Sequence, residues 1–319
     1  MLLLLLLSAC DDPPLAAVAA GAVSPTCAAL ADSLDPARLA ADVATLAASP
    51  RASDTRRAET RAWITSELAA AGLVATERPF TVSGQSGTNL DAGKGPILVS
   101  AHFDSVATTP GADDNATGVA VTLAVARALG GRVRYAFFDV EEPRPATVGR
   151  EGRNFAFGSQ AFADALADDE VRAAFVIESV GFSCDGCQRV PPGLPAAAVP
   201  QDGRGIYLVG NEHGGPVWSV VQAAFATVVP PPYTAHTFVV PGNGRLLPQS
   251  RYSDNAPLWD RGVDTVMITD TALLRNPHYH ERTDAPETLD PAYLAAVARG
   301  TIVAVGALAE LCAEPPPSE

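Results

Sequence analysis

The chain has 319 residues, 47% of them apolar and 18% charged, which are the proportions of a folded globular protein and exclude disorder for most of its length. That length allows one large α/β domain or two modest ones, and no internal repeat is visible. A net charge of −14 argues against a nucleic-acid partner, which needs a basic face to neutralise phosphates, and otherwise describes an acidic, soluble surface.

Met1 is followed by six leucines and then by Ser8-Ala9-Cys10. So short an apolar run cannot span a bilayer as a helix, and it reads as the hydrophobic stretch of an export signal over 1–10. Its end resembles a bacterial lipobox, in which the cysteine is acylated and anchors the chain to a membrane; a cleaved soluble-secretion signal is the other reading. Either one predicts an exported protein, periplasmic, envelope-bound or secreted. Residues 11–26, rich in Pro, Ala, Val and Gly, are expected to form a flexible tether. Beyond Cys10 there remain Cys27, Cys184, Cys187 and Cys312, an even set that suggests two disulfides in an exported protein. Cys184 with Cys187 would close a tight loop, and Cys27 with Cys312 would tie the ends together. A structural zinc site is the weaker alternative, because only one C-x-x-C pair exists.

Two helical stretches are predicted within 35–73, with Asp35 and Asp54 suited to N-caps and Leu39, Val43 and Leu46 at helical spacing. Residues 74–91 alternate like edge strands, with Gly84 and Gly87 marking a turn. The run 96–101 is nearly all apolar, the pattern of a strand buried on both faces. A Gly/Asp/Asn loop at 110–118, a helix at 119–129 and a second buried strand at 133–140 follow. Later strands are expected at 174–177, 206–209 and 265–268, and helices at 159–167, 216–227 and 288–311. Alternating strands and helices predict an α/β fold, a mostly parallel central sheet flanked by helices on both faces. The stretch 143–157 reads as a surface-loop insertion. No linker divides 27–319, so one folded domain is expected there.

The chemistry-bearing residues fall just past the ends of predicted strands, where open α/β sheets place their ligand sites. His102 and Asp104 end the first core strand on one face of an extended chain, a spacing that lets the carboxylate orient the imidazole. Asp113, Asp114 and Asn115 open the next helix; caps favour such residues, but two adjacent carboxylates and an amide exceed what a cap needs. A carboxylate there can bridge two cations about 3.5–4 Å apart. Glu141 and Glu142 close another strand, neighbours that repel in a low dielectric unless one binds metal and the other moves a proton. Glu178 ends a further apolar run. His278, Tyr279 and His280 supply late imidazoles. Imidazoles and carboxylates without thiolates form a donor set suited to zinc in an open site.

The order and wording of these segments resemble the family of two-zinc exopeptidases that includes secreted bacterial leucyl aminopeptidases and, more distantly, glutamate carboxypeptidase and glutaminyl cyclase. The resemblance runs from about Ser49 to Glu310. It is carried by six segments in the family's order: 99–105 around His102 and Asp104, 110–118 around Asp113, Asp114 and Asn115, 138–142 with Glu141 and Glu142, 178–182 after Glu178, 252–259 with Ser253-Asp254-Asn255, and 278–284 with His278-Tyr279-His280. It implies a zinc aminopeptidase-like three-layer fold with a single zinc peptidase domain over 27–319, and a site of two Zn2+ ions acting on peptides or proteins with a free N-terminus. By that resemblance Asp113 bridges the ions, His102 and Glu178 complete one centre, and Glu142 and His280 the other. Glu141 is then the general base, Asp104 the partner of His102, and Tyr279 a stabiliser of the oxyanion. His280 is preferred over His278 because the family's ligand directly follows the aromatic residue, and His213 and His236 have no metal role.

The chain departs from the family at Glu178, where many aminopeptidases carry Asp, at Asn255, where His is common, and in the extended 143–157 loop, all of which bear on specificity. A cyclase-like acyltransferase, a carboxypeptidase and an inactive binding ectodomain are the competing functions on this fold. The presence of all five ligands and the base disfavours the last.

Overall fold

A computed structural model describes residues 24–144, 147, 149, 152–168, 170–212 and 214–311. Cys10, His213, Cys312 and most of the expected tether lie outside the described residues. Within them a helix α1 (Pro25–Leu30) already begins where the tether was expected to end, capped by the Ser24 hydroxyl, which accepts from Cys27 N.

The helices start where their sequences cap them. Asp35 accepts from Ala37 N and Arg38 N to open α2 (Pro36–Leu46), with Pro36 in the first turn, where a missing N–H costs nothing. Ser53 caps α3 (Asp54–Ala70), one residue earlier than expected, and Asp290 caps α8 (Pro291–Leu308), which is shorter than the predicted 288–311. The remaining helices are α4 (Gly118–Leu129), α5 (Phe157–Ala165), α6 (Gly215–Val228) and α7 (Asn255–Asp260).

Eight strands make one sheet in the order β1-β2-β4-β3-β5-β8-β6-β7. They are β1 (Ala75–Val82), β2 (Gln85–Gly93), β3 (Ile97–His102), β4 (Arg134–Phe138), β5 (Ala173–Glu178), β6 (Gly205–Asn211), β7 (Thr234–Val240) and β8 (Asp264–Thr269). The centre, β4-β3-β5-β8, is parallel as the sequence predicts. The flanks make the sheet mixed: β2 runs antiparallel to β4, and β6 antiparallel to β8. Two expectations need correction. Of β1 and β2 only β1 is an edge strand, because β2 pairs on both sides. The opposite edge is β7, whose partly exposed, polar-interrupted sequence lacks the apolar run that betrays the central strands.

Helices cover both faces. Ile97, Val99 and Ala101 of β3 face a core shared with α1, α2, α3, α4, α6 and α8, while Leu98 faces a second core with Phe162 of α5 and Trp259 of α7. Because strand side chains alternate, His102 falls on the α5/α7 face, and so does Glu178, which follows Ala174 and Val176 at even spacing in β5. Side-chain parity thus delivers a strand-end imidazole and a strand-end carboxylate to the same side of adjacent strands.

Behind the site, Arg51 is fully buried between α2 and α3. Its guanidinium donates to the carbonyls of Phe103 (2.7 Å), Leu46 (3.0 Å), Pro110 (2.7 Å) and Gly111 (2.8 Å), and its N–H to Ser105 Oγ (2.9 Å). These contacts fix the loop running from His102 to Asp113. Gly111 is required there: its φ is 64°, and a Cβ would collide with Asp114 O and the Arg51 guanidinium. Replacing Arg51 by Met strands several buried carbonyls at about 1–3 kcal/mol each, so urea unfolding should report a loss of roughly 3 kcal/mol or more.

Candidate metal centre and active site

The strand ends converge on a pair of donor sets. His102 Nε2 lies 3.2 Å from Asp114 Oδ1 and 3.3 Å from Glu178 Oε2; His280 Nε2 lies 3.0 Å from Asp114 Oδ2 and 3.3 Å from Glu142 Oε2. The ligand atoms of His102, Asp114 and Glu178 fall within 4.8 Å of one another, as do those of Asp114, Glu142 and His280. Asp114 belongs to both sets, one carboxylate oxygen toward each.

This corrects the assignment of Asp113 as the bridging residue. Asp114 (φ −107°, ψ 91°) and Asn115 (φ −135°, ψ 44°) leave helical geometry, and the two neighbouring acids diverge. The Asp113 carboxylate points away from the imidazoles, accepting from Gly181 N (2.8 Å) and Asn276 Nδ2 (2.7 Å), beside Asp270. Its role is to tie the loop to the ends of β5 and β8. Asn115 does the same from the next position, donating to Ile177 O and accepting from Gly118 N at the start of α4 and from Ser179 N. A Cβ at Gly118 would collide with the Asn115 side chain and Ile177 O, so this stitch needs glycine.

Asp104 sits behind His102, Oδ1 3.6 Å from its Nδ1, and also accepts from Glu141 N (2.9 Å) and Glu142 N (3.2 Å). Glu142 is further held by Val106 N at 3.0 Å, and Glu178 by Ser253 Oγ at 2.6 Å and Ser179 Oγ at 3.2 Å. Asp284 accepts from Asp113 N (2.8 Å) and Asp114 N (3.2 Å). Glu141 belongs to neither donor set; its Oε2 stands 4.0 Å from His102 Nε2. Three residues beside these groups hold left-handed backbone, Val140 (φ 58°), Ser179 (φ 47°) and His280 (φ 60°). For β-branched Val140 that conformation is strained, a cost of about 1–3 kcal/mol that folds retain mainly at functional sites.

Electrostatically the site is crowded with acid. Burial pushes Glu141 well above the ordinary carboxylate range and Glu142 up to about 7, with Asp114 adding to the latter. Burial likewise raises Asp254 to about 7, against the opposing pull of His102 and Ser159. Burial would lower the imidazoles, but the carboxylates around them win: Glu178 and Glu141 raise His102 well above its usual value, and Asp114 and Glu142 raise His280 to about 10. Both His102 ring nitrogens lack a properly formed hydrogen bond although acids surround them. Imidazole and carboxylate groups that converge in this way, with acids in excess of the positive charge available, fit divalent cations.

Of the other histidines, His278 turns to Thr283 Oγ1 (2.8 Å), and His236 packs on Tyr207 in the β6–β7 region. Tyr279 stacks on His280 with ring centroids 3.9 Å apart, and its phenol is raised well above its usual value, first by burial and then by Asp114. Sequence reasoning gave no role to Ser253, Asp254 or Asp284, although all lie within the motifs it singled out, and none to Arg51 or Asn276, which carry no local signal. The Cys184–Cys187 disulfide is present as expected. Cys27 is also disulfide-bonded.

The fold and the paired donor sets define a metallopeptidase-type hydrolase. Over residues 82–305 the chain matches the profile of peptidase family M28, and it belongs to that family. It is 29% identical over 260 residues to the uncharacterized protein YfbL of Escherichia coli (strain K12), covering 75% of this chain and 77% of that one. The fold is shared with Porphyromonas gingivalis glutaminyl cyclase (TM-score 0.65, 18% identity, 86% of this chain and 98% of that one). It is shared too with a Zn-dependent exopeptidase from Parabacteroides distasonis (TM-score 0.62, 17% identity, 85% and 97%).

The corrected geometry separates two neighbouring acids. Asp114→Asn should strip zinc from the purified protein, whereas Asp113→Asn should keep it and lose stability; zinc quantified by atomic emission alongside a melting curve reads both. The opposite pattern would return the bridging role to Asp113.

Proposed function

We propose that this protein is an exported two-zinc aminopeptidase that removes apolar residues from the free N-terminus of peptides. The observation that carries the reading is the Asp114 carboxylate, set between two imidazole-containing donor groups. His102, Asp114 and Glu178 would hold one ion, and Asp114, Glu142 and His280 the other. Bound zinc supplies Lewis acidity for a carbonyl oxygen and lowers the pKa of water toward about 7.

The protein's own groups then divide the work. Glu141, outside both donor sets and buried beside them, would take the proton of the attacking water and return it to the departing amine. Asp104 keeps the His102 ring facing inward while its two backbone contacts hold Glu141 and Glu142 in register. Tyr279, stacked on His280, is the residue whose hydroxyl would donate to the oxyanion.

Next to Glu178 and Tyr279 a cavity of about 110 Å³ is walled by Val199, Tyr207, Val209, Phe238, Leu247 and Met267 among others. Its polar wall groups are largely committed: Tyr207 to Pro200 O, Ser253 to Glu178, and Gln188 to Thr271 and Arg275. Such a space suits an apolar side chain, and its place beside the donor groups suits the N-terminal residue of a substrate. The Cys184–Cys187 disulfide supports an exported protein, since such bonds persist in oxidising compartments.

Two measurements test the proposal. Leu- and Phe-nitroanilides should be cleaved, and their N-acetylated forms should not; release of the last residue from N-acetylated peptides with a free carboxylate would move the reading to a carboxypeptidase. Glu141→Gln should lower kcat by about 100-fold or more with both zincs retained, the scale of a lost general base. One bound zinc and cyclisation of N-terminal glutamine would replace the peptidase reading with a cyclase.

A further inference from the structure

Past Glu142 the chain leaves the sheet, and the described ends of the 143–157 insertion meet directly beside Glu141. Ala156 N donates to Glu141 O (2.7 Å), Phe157 N to Val140 O (3.1 Å), and Arg144 N to Asn154 O (2.6 Å). The insertion's neck is therefore fixed, and from it the Arg144 side chain reaches back to the buried carboxylate behind His102. Arg144 Nη2 stands 3.4 Å from Asp104 Oδ2, the oxygen that also accepts from Glu142 N, while Oδ1 faces the imidazole. Among the described residues it is the one arginine or lysine in contact with that carboxylate.

We propose that Arg144 is a positioning residue that weakens the hold of the His102 centre on its metal, acting through Asp104. The proposal rests on the reading that His102 ligates an ion. Two physical effects have the same sign. A carboxylate behind a ligating imidazole raises the ring's basicity and with it the metal's affinity, and a guanidinium on that carboxylate draws the charge back. A fixed cation near a dication also repels it through the poorly screened interior. Both loosen the ion, and both leave it more electron-poor, hence a stronger Lewis acid toward the substrate carbonyl. Such a counterweight is useful where buried acids outnumber cations as heavily as they do here, because unopposed they would bind the ion tightly and blunt it. The side chain is a quarter exposed (25%) and its backbone contact survives substitution, so variants should fold.

The test uses the zinc-loaded protein and excess chelator, with released zinc followed by a chromogenic indicator. Arg144→Met and Arg144→Gln, which remove the charge, should each slow one phase of zinc release roughly tenfold relative to the parent, the lower end of second-shell effects on metal affinity. Arg144→Lys, which keeps the charge, should restore parental release. The cobalt-substituted Met variant should show a shifted visible absorption band, and kcat should fall with KM little changed. Unchanged or faster release in both uncharged variants overturns the proposal, as does a Lys variant that behaves like Met. A parent protein that binds no zinc at all would instead overturn the metal reading, so the two failures are distinct.

Discussion

Asp104 and Asp284 each grip two consecutive backbone N–H groups, Asp104 those of Glu141 and Glu142, Asp284 those of Asp113 and Asp114. A carboxylate has two oxygens with a fixed bite, and two adjacent amides can satisfy both only in one local backbone direction. Each grip therefore dictates where the next side chains point. The first sends the Glu142 carboxylate to Asp114 and His280 and leaves Glu141 apart. The second turns Asp114 between the imidazoles and Asp113 away from them. Buried acids would otherwise repel one another out of such a small volume; backbone dipoles, which cost little to orient once the sheet is formed, hold them there instead.

The same crowding explains the arginines. Arg51, wholly buried, spends its guanidinium on four carbonyls and lies within the electrostatic reach of Asp114, Asp284 and Asp104. Arg144 approaches from the other side, out of the insertion. One guanidinium thus secures the loop, and the other meets the acid behind His102, so the two cations bracket a cluster whose remaining charge suits divalent ions. The strain at Val140, Ser179 and His280 belongs to the same design, in which strands must end abruptly to present their last side chains.

Much of this was legible in the residues. The apolar runs of β3, β4, β5 and β8 revealed strands buried on both faces, and parallel strands must be covered by helices, so the layered fold followed. The cap at Asp35 marked a helix start because its side chain satisfies nearby amides without help from elsewhere. Edge strand β7 and the six-residue α7 escaped, since neither carries a long apolar pattern; their places are set by β6 and by Trp259 filling the second core. The mixed directions of the flanking strands also depend on long connections that local sequence does not describe.

The sequence by itself determined which kinds of donor stand at the strand ends of His102, Glu142 and Glu178, because strand-end placement is a local property; that these should meet His280 was implied by the family resemblance. It could not choose between Asp113 and Asp114. Adjacent residues in a loop have no periodicity to assign them a side, and the choice rests on Asp284, whose carboxylate arrives from 170 residues further along the chain. Tertiary contact agrees with the preference for His280 over His278, whose ring is held by Thr283, and brought Arg144 to Asp104. Periodicity names the residues that can reach a site; only the packed structure says which oxygen faces which nitrogen.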